Sequence, residues 1–435
     1  MRSPPSTLIL FHSLVFGVAR AATCVVSSAG NTNVSDVPAI KAAFASCGNG
    51  GVIQFPAGKT YAINELLKIQ GCNGCEVQLD GTLKLKADVT LWNTQSQPFA
   101  FQTSYLAIIV DGAKNMKFHS PTGKGLIDGS GQTWYDKAPS IRPVLFTTAN
   151  STGVNYDSIK MINSPMWFNL VTDSSYITFT NTMLNATSSS SKAAKNTDGF
   201  DTYRSNHVTI QNLWYNGGDD CISFKPNSTD ITVKNAIALG SHGVSVGSIA
   251  QYPGIYDIIQ NIWVQNVTFA NGLDGTKSQN GVRIKSWPGG YGAGMGMLGL
   301  EPGGTSLKPP LVKNVTYQDI VVNSVTNPVT IDSCYMEDDS VSVLMVSSAH
   351  FAKVLLGGGQ YCASHPAQVS ITDVHINNVK GSSAGTTVVD LECTPKADCY
   401  VYMKNISIVP PKGAAKYICT NLSDPNDVGI PCSSS

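Results

Sequence analysis

The chain has 435 residues, 29 Lys+Arg against 29 Asp+Glu, and zero formal net charge. Charged residues make up 13%, about half the usual share. This composition excludes the broad electrostatic attraction that recruits nucleic acid or an anionic membrane, and neither is expected as a partner. Gly, Ser, Thr and Asn fill the gap and favour turns and stacked strands over helix bundles.

Residues 1–21 read as a secretory signal peptide. Arg2 precedes an apolar stretch from Leu8 to Val18, and Ala19-Arg20-Ala21 offers small residues for cleavage. No other segment is apolar over a bilayer's thickness. Residues 22–435 contain no interior linker and read as one domain, extracellular and monomeric. Ser35 stands as an N-cap and Pro38 falls in the first turn. Ile40, Ala43, Phe44 and Cys47 follow at i, i+3, i+4 and i+7. An amphipathic helix is expected there, covering an open end of the domain.

The eleven cysteines fit an oxidising compartment. Cys72/Cys75 and Cys393/Cys399 are close enough for local bridges. Cys24/Cys47, Cys334/Cys362 and Cys419/Cys432 are neighbours in order, which leaves Cys221 unpaired. Cys72-x-x-Cys75 lacks the second pair or nearby His that a zinc site requires. Asn-x-Ser/Thr sequons occur at Asn33, Asn150, Asn185, Asn227, Asn266, Asn314, Asn405 and Asn421, compatible with a glycosylated secreted protein.

A five-residue pattern, β-former-x-β-former-x-Asn, recurs at Ile177–Asn181, Val208–Asn212, Ile231–Asn235, Ile262–Asn266 and Val401–Asn405. Period-2 alternation puts both apolar residues on one face. Asn closes each unit at a turn, where left-handed backbone is tolerated. Spacings of 31, 23 and 31 residues separate the first four copies, a size that signals a solenoid. The expected fold is all-β, a right-handed parallel β-helix with asparagines stacked at one corner. Asn266 and Asn405 would then sit in the stack and escape glycosylation. A β-propeller is the alternative, but it calls for more regular hairpin signals.

Charge concentrates between Asn196 and Lys285. Asp198 precedes Asp219 by one coil length, Asp219 and Asp220 are adjacent, and His242 lies one coil beyond Asp220. Stacked strands are ~4.8 Å apart, so these groups can share one flank. Gly217-Gly218 permits the irregular backbone that would bring both aspartates to one side. Arg283 and Lys285 share a face by period 2. Carboxylates held close raise one another's pKa, which makes one a proton donor while others polarise water. Fixed cations bind an anionic sugar. Any one of these motifs alone is more often a solvated turn or face. Their shared coil spacing points to a site.

Asn196-Thr197-Asp198-Gly199-Phe200, Gly218-Asp219-Asp220-Cys221, Gly240-Ser241-His242-Gly243 and Arg283-Ile284-Lys285 resemble, in order, the four signature motifs of polygalacturonases, glycoside hydrolase family 28. The resemblance implies a right-handed parallel β-helix that hydrolyses α-1,4-galacturonide linkages with inversion and without a metal or other cofactor. By position it implies Asp219 as general acid, Asp198 and Asp220 as the pair activating water, and His242 as support for the acid. Arg283 and Lys285 resemble the substrate carboxylate binders. Asn196 and Tyr335 are similar to further substrate contacts. Inversion is carried by the resemblance alone. One-coil spacing sits near the ~5–5.5 Å of retaining enzymes, whereas inversion uses roughly 6.5–9.5 Å.

Ser241 and Ala238 depart from the family's usual Gly and Cys. The flanks Thr202–Ser205, Phe224–Ser228, Ser286–Gly289 and Asp128–Tyr135 resemble the exo-acting fungal branch. Asn271–Asn280 looks like an insertion able to close one end of the cleft. The expected partner is a galacturonate-containing polysaccharide or oligosaccharide. Alternatives are a rhamnogalacturonan or xylogalacturonan hydrolase, an endo-acting polygalacturonase, a Ca²⁺-dependent pectate lyase and a non-catalytic wall-binding solenoid.

Overall fold

The repeats do stack. In the computed structural model, which describes residues 22–252, 256–289, 310–335 and 362–433, the chain winds into a right-handed parallel β-helix. Its strands form a 16-stranded and a 12-stranded sheet. Parallel neighbours need a crossover between them, and here each crossover is the rest of a coil.

Six consecutive rungs of the 12-stranded sheet position the site. They are β1 (Asn169–Thr172), β2 (Phe200–Tyr203), β3 (Ile222–Phe224), β4 (Val244–Ile249), β5 (Asn280–Ser286) and β6 (Asn327–Asp332). Phe200, Ile222, Val244, Val282 and Val329 align in register and point into the solenoid, where all are buried. The neighbouring column is Asp201, Ser223, Ser245, Arg283 and Thr330. Alternation therefore gives this sheet an apolar inner face and a polar, charge-bearing outer one.

The asparagine corner forms as expected. Nδ2 of Asn212, Asn235 and Asn266 donates to Oδ1 of Asn181, Asn212 and Asn235 at 3.0, 3.1 and 2.9 Å. Asn405 joins the corner by donating to Asn378 at 2.9 Å. The asparagines do not end their strands. Ser175–Asn185, Asn206–Asn216, Ser228–Leu239 and Ile258–Ala270 run through them. Each Asn takes a left-handed bend, with φ of 53°, 56°, 57° and 56°, while pairing resumes in register on both sides.

The expected helix spans Val37–Cys47 and buries Val37, Ile40, Ala43, Phe44 and Cys47. Its N-cap position is Asp36, not Ser35. The Asp36 carboxylate accepts from the Ala29 and Ala62 amides at 2.7 Å each, so it ties the helix start to the first coils instead of capping it. All five expected disulfides form, and Cys221 is buried and unpaired. The expected signal peptide lies outside the described residues. Among those described, no helix is long and apolar enough to cross a membrane.

Candidate active site

Each turn entering β2, β3 and β4 delivers a group to the same place. Asp198 precedes β2, Asp219 and Asp220 precede β3, and His242 precedes β4. One carboxylate oxygen from each of the three aspartates lies within 4.8 Å of the others. Gly217 and Gly218 make this possible by their size. Neither adopts a left-handed conformation. A Cβ at Gly217 would collide with the Tyr215 ring and one at Gly218 with the Ala194 carbonyl. Tyr215, fully buried, sets its hydroxyl 3.0 Å from both the Thr197 and the Asp219 carbonyl, which share its one proton, and fixes the turn from below.

A cavity of about 640 Å³ opens over these groups, lined among others by Asp198, Asp219, His242, Lys285 and Tyr335. Asp219 reaches it most openly, with its side chain 16% exposed, whereas Asp198 is 3% exposed. Asp220 is wholly buried beneath them. It accepts from Lys285 Nζ at 2.7 Å and from Ser245 Oγ at 2.7 Å, with Arg283 Nη1 at 3.9 Å. Asp219 sits 3.2 Å from His242 Nδ1, and its other oxygen accepts from Asn196 Nδ2 at 3.1 Å. Tyr335 underlies the cations, its ring centre 4.9 Å from both Arg283 Cζ and Lys285 Nζ. The carboxylate spacing is one a cation can share, but Lys285 and Arg283 already bring positive charge to Asp220.

Burial pushes the Asp198 carboxyl well up, and repulsion from Asp219 and Asp201 adds to it. Burial opposes ionisation of Asp219 too, but His242, through charge and hydrogen bonding, and then Lys285 hold it below the usual range. Burial alone would lower His242; Asp219 overrides that and raises it. In the free protein these shifts favour a proton on Asp198 and His242 over one on Asp219, the acid that the motif resemblance implies.

All eight expected site residues meet at this cavity or against it. Others join them unforeseen. Asp201, fully buried, pairs with Lys225 Nζ at 3.3 Å, and that ammonium lies 5.3 Å from the Trp167 ring. Arg142, Gln102, Trp167 and Lys225 all line the cavity. Opposite charges one coil apart, at Asp201 and Lys225, were the available signal. Asp274, Thr276 and Gln279, in or beside the expected insertion, form part of the wall.

Burial pushes Asp201 up to about 7 in spite of Lys225. The folded protein thus keeps a proton that the unfolded chain releases in the ordinary carboxylate range. Stability from this group is full below that range and is lost as pH rises to about 7. Asp198 acts in the same direction. Melting temperature is expected to fall with rising pH across that window, and Asp201→Asn is expected to flatten the slope. An unaltered slope in the variant would refute the assignment.

The family model described as glycosyl hydrolases family 28 matches residues 47–354 and 356–432. The chain is 34% identical over 421 residues to a probable endo-xylogalacturonan hydrolase A of Neosartorya fischeri, covering 95% of this chain and 91% of that protein. It is 35% identical over 430 residues to an exopolygalacturonase of Cochliobolus carbonum, covering 97% and 88%. The crystal structure of endo-xylogalacturonan hydrolase from Aspergillus tubingensis superposes with a TM-score of 0.79 at 30% identity, covering 95% of this chain and 99% of that one. With its coil, its acid cluster and a match over nearly the whole domain, the chain belongs to glycosyl hydrolase family 28 and is a glycoside hydrolase.

Proposed function

We propose that this enzyme is secreted and hydrolyses α-1,4-galacturonide linkages of pectin from the non-reducing end, with inversion. The observation that carries the substrate class is the meeting of Asp198, Asp219 and Lys285 in one cavity, with Asp220 and Arg283 packed directly behind them. A neutral sugar would need no such cations. Five disulfides support an oxidising, extracellular setting.

Arg283 and Lys285, backed by Tyr335, hold a galacturonate carboxylate through donors not spent on Asp220. Asp219 takes a proton from His242, 3.2 Å away, and passes it to the glycosidic oxygen as the bond breaks. Asp198 takes the proton of the attacking water, and Asp220, buried beneath it with its oxygens held by Lys285 and Ser245, adds negative charge behind it. That role requires Asp198 to give up its own proton once substrate is bound. A second assignment, Asp198 as donor, is favoured by its raised pKa. Inversion continues to rest on the family resemblance, because carboxylates within 4.8 Å are closer than the roughly 6.5–9.5 Å of the two-carboxylate rule.

Exo action is supported by a strap across the groove. Residues 101–103 reach from a much earlier coil to the end of β4. There Gln102 Nε2 donates to Gln251 Oε1 at 2.8 Å, and the Gln102 backbone amide donates to the Tyr252 hydroxyl at 3.1 Å. Phe101 stacks on Tyr203 with ring centres 4.1 Å apart. Gln102 itself lines the cavity. Such a wall stops a polymer from threading through.

Digestion of de-esterified polygalacturonate tests this reading. Galacturonate monomer is expected from the outset, released first as the β-anomer by NMR, and Phe101→Ala is expected to add oligomers by loosening the strap. A ladder of oligomers from the unaltered enzyme would mean endo action, and an α-anomer would mean retention. The similarity to endo-xylogalacturonan hydrolases favours a second substrate. Turnover confined to xylose-substituted galacturonan would establish that one instead.

A further inference from the structure

We infer that Arg142 is a positioning residue for Asp219, acting through the side chain of Asn196. Arg142 enters just before the strand Pro143–Ala149, two rungs from β2. Its Nη1 donates to the Lys195 carbonyl at 2.9 Å and its Nη2 to Asn196 Oδ1 at 2.6 Å. Asn196 Nδ2 then donates to Asp219 Oδ2 at 3.1 Å. His242 holds the other oxygen of the same carboxylate.

The polarity of this chain of contacts is forced. A guanidinium has only donors, so the Asn196 atom facing it is the oxygen. The amide therefore turns its NH₂ toward Asp219, where a carboxylate accepts it. The flipped amide would set donor against donor at Arg142 and acceptor against acceptor at Asp219. Arg142 thus selects one of two amide orientations that differ little in shape. Asn196 also holds a left-handed backbone, φ 55°, and the Arg142 bond to the Lys195 carbonyl pins the residue before it. Without Arg142 the amide is free to turn its oxygen toward Asp219, which repels the carboxylate and swings it from the cavity.

Arg142 has a different task from Arg283 and Lys285, which approach Asp220 from β5. Both of its η-nitrogens are engaged by the protein. Its role rests on Asp219 being the proton donor. The two ideas fail separately, because normal turnover by Asp219→Asn would remove the donor whatever Arg142 does.

The test is steady-state kinetics on polygalacturonate across pH for Arg142→Met, Arg142→Lys and Asn196→Ala. Removing the donor set is expected to lower kcat on the order of 10- to 100-fold through misplacement of the acid. KM is expected to stay within about threefold, and the pH profile of kcat to shift. Arg142→Lys, which keeps one cationic donor, is expected to recover part of kcat and the original profile. In the Asn196→Ala background, Arg142→Met is expected to cost less than about twofold more, because partners acting in series do not multiply. A rise in KM with kcat and pH profile unmoved would overturn the inference in favour of direct substrate binding. Fully multiplicative losses in the double variant would overturn it as well. A fall in melting temperature with an unmoved pH profile would reduce Arg142 to a structural role.

Discussion

Asp219→Asn is expected to lower kcat on polygalacturonate by about 10²–10⁴-fold, the usual worth of a positioned general acid, while far-UV circular dichroism and melting behaviour stay near those of the parent. Asp219 is the most exposed carboxylate of the three and has a partner in His242, whose pKa it raises. The amide is nearly isosteric and leaves the backbone contacts of the turn in place. The variant also separates the two assignments of the donor. An aryl galacturonide with a good leaving group needs no protonation, so on that substrate Asp219→Asn should regain most of its lost rate. Asp198→Asn should stay inactive, because activation of water is still required. The reverse pattern would make Asp198 the acid and would agree with its raised pKa in the free protein.

Lys285→Met is expected to be the most destabilising single change in the site. Asp220 is fully buried, and Lys285 supplies its closest cation at 2.7 Å. Removing one partner of a buried ion pair costs about 3–5 kcal/mol, because the other charge is left uncompensated. Methionine keeps most of the volume, so the loss is electrostatic. Asp220→Asn added to Lys285→Met should restore much of the stability, since an amide carries no charge and keeps the hydrogen bond with Ser245. Chemical denaturation of the two single variants and the double variant measures the coupling. Additive losses would show that the pair stabilises nothing. Activity should not return in the double variant, because the substrate cation and the Asp220 carboxylate are both gone.

The fold was legible because a solenoid writes itself into sequence twice. Period-2 alternation marks the strands, and the coil-length return of Asn marks the corner. What pattern alone misplaced was the strand ends. A left-handed Asn can bend a strand while its ladder continues, so the asparagines lie inside strands. The acids were legible for the same reason as the coils: Asp198, Asp219 and His242 recur one turn apart, and stacking turns spacing into proximity. Gly217 and Gly218 were singled out for backbone freedom, and the structure adds a second property. Their contribution is room for Tyr215 and Ala194.

The rest of the site depends on contacts between coils that share no spacing. Arg142 and Gln102 come from earlier rungs, and their approach is set by how loops fold over the groove. Asp201 and Lys225 do lie one coil apart, yet alternation reads both as outward and solvated. Their mutual pairing and the Trp167 ring beside Lys225 lie in contacts that alternation does not encode. The burial of Asp220 under Lys285 was likewise hidden, and it changes the role of the lysine. It is both a lining cation and the counter-charge of a carboxylate that never reaches the cavity.

Crystals of Asp219→Asn soaked with a galacturonate trimer would decide between these roles. Density is expected for a sugar in the cavity over Asp198 and residue 219, with one carboxylate against Arg283 and Lys285 and the non-reducing end stopped at Gln102. An oligomer seated on another face of the solenoid, with the cavity left to solvent and both cations untouched, would contradict the assignment of this groove as the place of hydrolysis.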